Sequence, residues 1–179
     1  MRFAIYITMK ILGIDPGSVL CGYGLIEDSN IKGIKKGVCH PSPGCNYISS
    51  GRVALPAGKP LHARLNELYT SLVEVIAEYK PDEIVIEKIF FAKGIKAALS
   101  LGHTRGVILL AASLADLPIY EYSALEVKKA VVGYGRAEKS QVQKMVTGIL
   151  QINRLLSPDS ADALALALCH ANSKRIKGL

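Results

Sequence analysis

Lys10-Ile-Leu-Gly-Ile-Asp15-Pro-Gly17 decides how the rest of the chain is read. A short apolar run stopped by Pro16-Gly17 reads as a buried strand that ends on a carboxylate. Gly22-Tyr-Gly-Leu-Ile26 follows after a short turn and reads as its antiparallel hairpin partner. A third strand is expected from Tyr47 to Leu55, after a Pro/Gly/Ser/Cys loop from Gly37 to Cys45 that is long for a hairpin. Glu83-Ile-Val-Ile-Glu87 repeats the first pattern, a short apolar strand ending at an acid.

Between these strands the period changes. Leu61, Leu65, Leu68, Leu72, Val75, Ile76 and Tyr79 recur at helical spacing until Pro81 stops them. A second helix is expected from about Ile95 to Leu114, then a strand at Pro118-Ile-Tyr-Glu-Tyr122. Ser123-Ala-Leu-Glu126 reads as a capping box opening a helix toward Val132, which yields to Gly133-Tyr-Gly135. A helix from Glu138 to Leu150 places Val142, Met145, Val146 and Ile149 on one face, and a last helix spans about Asp159 to Ser173. Three antiparallel strands followed by helix-linked parallel ones predict a three-layer α/β/α sandwich with a five-stranded mixed sheet and helices on both faces. One domain, residues 9–175, accounts for the chain, with residues 1–8 as an N-terminal extension, because Met9 starts the first strand directly.

Composition sets the class of partner. Half of the 179 residues are hydrophobic, and 22 Lys+Arg against 15 Asp+Glu leave a net charge of +7. That excess favours a polyanion such as nucleic acid or acidic lipid. No apolar run approaches the roughly 20 residues that cross a bilayer, so a soluble protein without a membrane partner is expected. The four cysteines are too scattered for a disulfide framework, which suits a reducing cytoplasm. Cys39-His40 and Cys45 lack a second ligand pair for zinc and read as loop residues.

Four acids stand out by position. Asp15 and Glu87 each end an apolar strand, and they converge if the first and fourth strands are neighbours. Asp159 and Asp162 open the apolar helix, and a spacing of three puts them on one face. Taken singly, Asp15 fits a turn before Pro16, Glu87 a solvated strand end, and Asp159 an N-cap. Gathered together, so many like charges call for a cation, and an all-oxygen ligand set suits Mg²⁺ or Mn²⁺. Two such ions activate a water and stabilise the leaving oxygen of a phosphodiester. Lys128 and Lys139 flank the Gly133-Tyr-Gly135 turn and bring two cations beside the acids, facing charge that develops on a scissile phosphate. Lys93, Lys96 and Arg105 are candidate phosphate contacts. The four histidines show no ligand spacing and are assigned to core or surface.

Ile14-Asp-Pro-Gly-Ser18, Gly22-Tyr-Gly24, Ile86-Glu87, Phe91-Ala-Lys93, Val131-Val-Gly133, Ala137-Glu-Lys-Ser-Gln-Val142 and Asp159-Ser-Ala-Asp-Ala163 together resemble the RuvC family of Holliday-junction resolvases. The resemblance spans about Met9 to His170. It implies an RNase H-like fold, a homodimer, Mg²⁺-dependent symmetric nicking of four-way DNA junctions in recombination and repair, and cooperation with the RuvA and RuvB branch-migration proteins. It implies that Asp15, Glu87, Asp159 and Asp162 bind the metal, that Lys128 and Lys139 are DNA or catalytic lysines, and that Phe90 is exposed near the junction, where its ring can stack on an unpaired base. The chain departs from the pattern in its eight-residue start and in the segment from Ile31 to Cys45, where a loop insertion is expected. Symmetric cutting calls for a two-fold partner, and the apolar stripe Val107–Leu114 is the expected interface. The competing readings are an RNase H-like nuclease for another structured nucleic acid and a non-catalytic junction-binding protein.

Overall fold

The computed structural model describes residues 6–31, 44–88 and 94–177. β1 (Tyr6–Asp15), β2 (Leu20–Ile31) and β3 (Cys45–Ala54) form an antiparallel meander, and α1 (Leu61–Tyr79), β4 (Glu83–Glu87), α2 (Ile95–Leu114) and β5 (Ile119–Tyr122) follow. Three helices complete the chain: α3 (Ala124–Val132), α4 (Lys139–Ile149) and α5 (Pro158–Lys177). The five strands lie in the order β3-β2-β1-β4-β5. β1 pairs in parallel with β4, and β4 with β5.

Period two divides the strands between two layers. Leu12, Ile14, Leu25, Ile84 and Ile86 face α1 and α2, whereas Ile11, Ile26 and Val85 face α3, α4 and α5. All eight are at most 1% exposed, and burying each such side chain stabilises by about 1.5–3 kcal/mol. The same parity puts Asp15, Glu83 and Glu87 on the α5 face. α5 lies against β1 and β2 because glycines make room for it. A Cβ on Gly13 would sit 2.0 Å from Ala163 O, and one on Gly22 would sit 2.2 Å from Asp159 O.

The boundaries differ from expectation in a few places. β1 starts at Tyr6 rather than Met9, pairing Tyr6 with Ile31. Cys45 opens β3 and is 7% exposed, so it is a core residue and not a loop residue. Met145 is 38% exposed rather than on the buried face of α4. The segment between β2 and β3, with Cys39 and His40, lies outside the described residues. α2 is long and apolar enough by composition to cross a membrane, against the expectation that no stretch reaches that length. Here it forms part of a layer: Thr104, Ile108, Ala111 and Ala112 are buried.

Candidate active site

β1 and β4 end side by side, their parallel register closing at Ile14↔Ile86. The next residue on each strand is Asp15 or Glu87, and both point to the face that α5 covers. Asp15 also pairs across the hairpin with Gly22, the glycine that admits Asp159 of α5. The bond that caps α5 comes from Ser157, whose Oγ accepts from Ser160 N–H at 3.3 Å. Asp159 is thus relieved of the N-cap role its sequence position suggested. One turn on, Asp162 faces a cleft of about 100 Å³ shared with Asp15, Glu87, Lys128 and Lys139.

The two lysines arrive by separate routes. α3 is opened by the expected capping box, with Ser123 N–H donating to Glu126 at 2.8 Å and Glu126 N–H to Ser123 Oγ at 3.3 Å. It ends at Gly133, whose φ of 93° reverses the chain. Lys128 projects from this helix into the cleft. Lys139 occupies the first turn of α4, where the helix dipole disfavours a cation. What offsets that cost is Asp162, whose carboxylate accepts from Lys139 Nζ at 2.9 Å.

Negative charge is nonetheless in excess here. Asp15 is pushed up to about 7, first by burial and then by the charges of Asp162, Glu87 and Asp159, with Lys139 opposing. Glu87 is raised by burial and by Asp162. The bond from Asp162 raises Lys139 above the ordinary lysine range. Among the described residues no three His, Cys, Asp or Glu side chains stand as a ready-made metal cage. The oxygen donors, the surplus charge and the raised affinity of Asp15 for a proton still fit a hard divalent cation, which would compete with that proton.

The remaining expected residues separate clearly. Phe90 and Lys93 lie outside the described residues. Lys96 is exposed, as are His62 and His103, while His170 is 1% exposed. Arg105 is committed to the protein and not to a phosphate: Nη1 donates to Glu87 O at 2.8 Å and Nη2 pairs with Glu121. Two buried ion clusters escaped the sequence reading. Glu83 binds His170 (Nε2, 2.5 Å) and Lys174 (Nζ, 2.6 Å), and Arg175 pairs with Asp28 beside Cys45. Their partners are 87, 91 and 147 residues apart, beyond any local pattern.

A mixed five-stranded sheet with acids converging at the ends of its central strand and the parallel strand beside it, and at the start of the helix across them, defines an RNase H-like nuclease. Comparison with known proteins narrows the class. The family profile described as "Crossover junction endodeoxyribonuclease RuvC" matches residues 11–170. The RuvC protein of Halothermothrix orenii is 46% identical over 94% of this chain and 95% of its own. That of Syntrophotalea carbinolica is 45% identical over 96% and 99%. Among solved structures, Thermus thermophilus RuvC in complex with Holliday junction substrate superposes with a TM-score of 0.82 at 30% identity, covering 94% of this chain and 96% of that one. The yeast mitochondrial resolvase Ydc2 shares the fold, with a TM-score of 0.61 at 15% identity. The chain belongs to the RuvC family of crossover junction endodeoxyribonucleases.

Proposed function

We propose that this protein resolves four-way DNA junctions in recombination and repair by paired symmetric nicks, and that Asp15, Glu87, Asp159 and Asp162 are its metal-binding set. The observation that carries the reading is the convergence of Asp15, Glu87 and Asp162 on one cleft with Lys128 and Lys139, where burial and the neighbouring acids push Asp15 up to about 7 and a cation would relieve the crowded charge. Two Mg²⁺ ions held by these carboxylates, or Mn²⁺ in their place, would supply water activation and stabilisation of the leaving oxygen. The chain's own groups do the rest. The carboxylates fix the ligand directions, Lys139 and Lys128 present positive charge to the scissile phosphate, and the net charge of +7 draws in the DNA backbone.

Paired nicks require two such sites. α2 turns Ile95, Leu99, Leu110 and Leu114 outward at 82%, 60%, 52% and 65% exposure, one stripe at helical spacing. A second copy related by a two-fold axis covers that stripe in our reading. Phe90 and Lys93 complete the DNA contact, RuvA and RuvB deliver the junction, and the reaction takes place in the cytoplasm. Asp15→Asn and Asp162→Asn test the site. Both are expected to bind a four-way junction as the parent does and to lose cleavage by at least about 100-fold. Ca²⁺, with longer and looser coordination, is expected to support binding without cutting. Retained nicking by both variants at ordinary Mg²⁺ would refute the assignment.

A further inference from the structure

β4 carries Glu87 at its last position, and the sheet holds that end of the strand on the β5 side only. Lys88 N–H donates to Tyr122 O on β5 at 2.8 Å, so the carbonyl of Glu87, in the same peptide unit, points the other way, toward β1. In a parallel ladder that has reached Ile14↔Ile86, the donor for this carbonyl is the N–H of the residue at position 16. That residue is Pro16, which has none. The ladder therefore leaves an acceptor at the residue that points a carboxylate into the active site. Arg105 fills the gap: its Nη1 donates to Glu87 O at 2.8 Å, while Nη2 pairs with the carboxylate of Glu121 on β5. The Arg105 side chain is only 13% exposed, and the residue before it, Thr104, is 2% exposed, its Oγ1 lying between Ser100 O at 3.3 Å and Gly17 O at 3.4 Å. One turn of α2 thus touches the backbone at both strand ends that bear Asp15 and Glu87.

We propose that Arg105 is a positioning residue for cleavage: braced by Glu121, it supplies the hydrogen bond that Pro16 cannot, and so fixes the strand end from which Glu87 reaches the cation. This rests on the reading of Glu87 as a metal ligand. The guanidinium fork suits the task because two separate nitrogens in one rigid plane hold the carbonyl and the carboxylate in fixed directions, which the single nitrogen of an ammonium does not. Groups that orient metal ligands typically change metal affinity by about 10–100-fold when removed.

The test titrates Mn²⁺ calorimetrically into the DNA-free protein and into Arg105→Ala, Glu121→Ala and Glu87→Gln, with melting temperatures and the salt dependence of junction binding measured on each. The expected result is Mn²⁺ binding about 10-fold weaker in Arg105→Ala, a smaller change in the same direction in Glu121→Ala, and junction affinity and salt slope unaltered in both. If Arg105 contacts phosphate instead, Arg105→Ala lowers the salt slope by about one, Glu121→Ala tightens junction binding by freeing the guanidinium, and Mn²⁺ affinity stays put; that overturns the proposal. A lower melting temperature with parental Mn²⁺ affinity in the folded protein overturns it too, leaving Arg105 a strut. Unchanged Mn²⁺ binding in Glu87→Gln overturns both this inference and the metal assignment of Glu87, whereas loss in Glu87→Gln alone removes only the role of Arg105. Should Arg105→Ala fail to fold, the direction of the Glu121→Ala effects on Mn²⁺ and on the junction decides the matter.

Discussion

Two glutamates on one face of β4 show how surroundings separate structural from chemical acids. Glu83, at the start of the strand, is desolvated, yet the bonds from Lys174 and His170 hold it below the usual carboxylate range. Glu87, at the end, is pushed up by burial and by Asp162. The first is satisfied by the protein, and the second is left in the cleft where we propose the cation binds. Asp15 makes the same point with a consequence in pH. Its carboxyl sits at about 7 in the folded chain against 3.8 for an unperturbed Asp. Between those values the folded state binds more protons than the unfolded one, so stability falls as pH rises. Lys139, raised by its bond to Asp162, stays charged throughout this window and does not alter the slope. Thermal melts of metal-free protein are expected to drop from pH 5 to pH 8, more steeply than those of Asp15→Asn, with Mg²⁺ restoring more stability at pH 8 than at pH 5. Parallel pH profiles for parent and variant would contradict this.

At the scale of elements, the close seat of α5 on the hairpin places Asp159 and Asp162. Gly22→Ala drives a Cβ to 2.2 Å from Asp159 O and 2.9 Å from Asp159 Cβ, and backbone cannot yield as a side-chain tip does. A loss of about 1–3 kcal/mol in denaturant unfolding is expected, with cleavage reduced beyond what the unfolded fraction explains because the start of α5 is displaced. Full activity per folded molecule would show that Asp159 need not sit there. Both short apolar strands ending in acids, and the helices bounded by Pro81 and Gly133, were legible in the sequence because their stop signals are local. β2 is 12 residues long, and its outer part, Glu27-Asp-Ser-Asn30, is too polar to announce itself. Asp28 is buried there only because Arg175 meets it. The task of Arg105 was hidden for the same reason: a charged side chain on a helix reads as solvated until the register of β1 on β4 exposes the carbonyl left by Pro16.

For the whole molecule, the account requires two active sites held at a fixed distance. The outward stripe of α2 is the surface we propose for it. Leu110→Glu, at a position 52% exposed, is expected to leave the melting temperature within a few degrees while shifting sedimentation at assay concentration from two protomers to one. Junctions would then be nicked on one strand without the second cut. A monomeric parent that makes both nicks would place the partner elsewhere or remove the need for it.

An acid cleft on a basic RuvC-family fold is expected to cut four-way junctions and not nucleic acid at large. The direct measurement is strand-resolved cleavage with Mg²⁺ of an end-labelled four-way junction, a duplex of the same sequence and an RNA:DNA hybrid. Paired nicks at symmetric positions on two opposing strands of the junction are expected, with little cutting of the other two substrates. Equal cutting of all three, or unpaired nicks scattered over the junction arms, would contradict it.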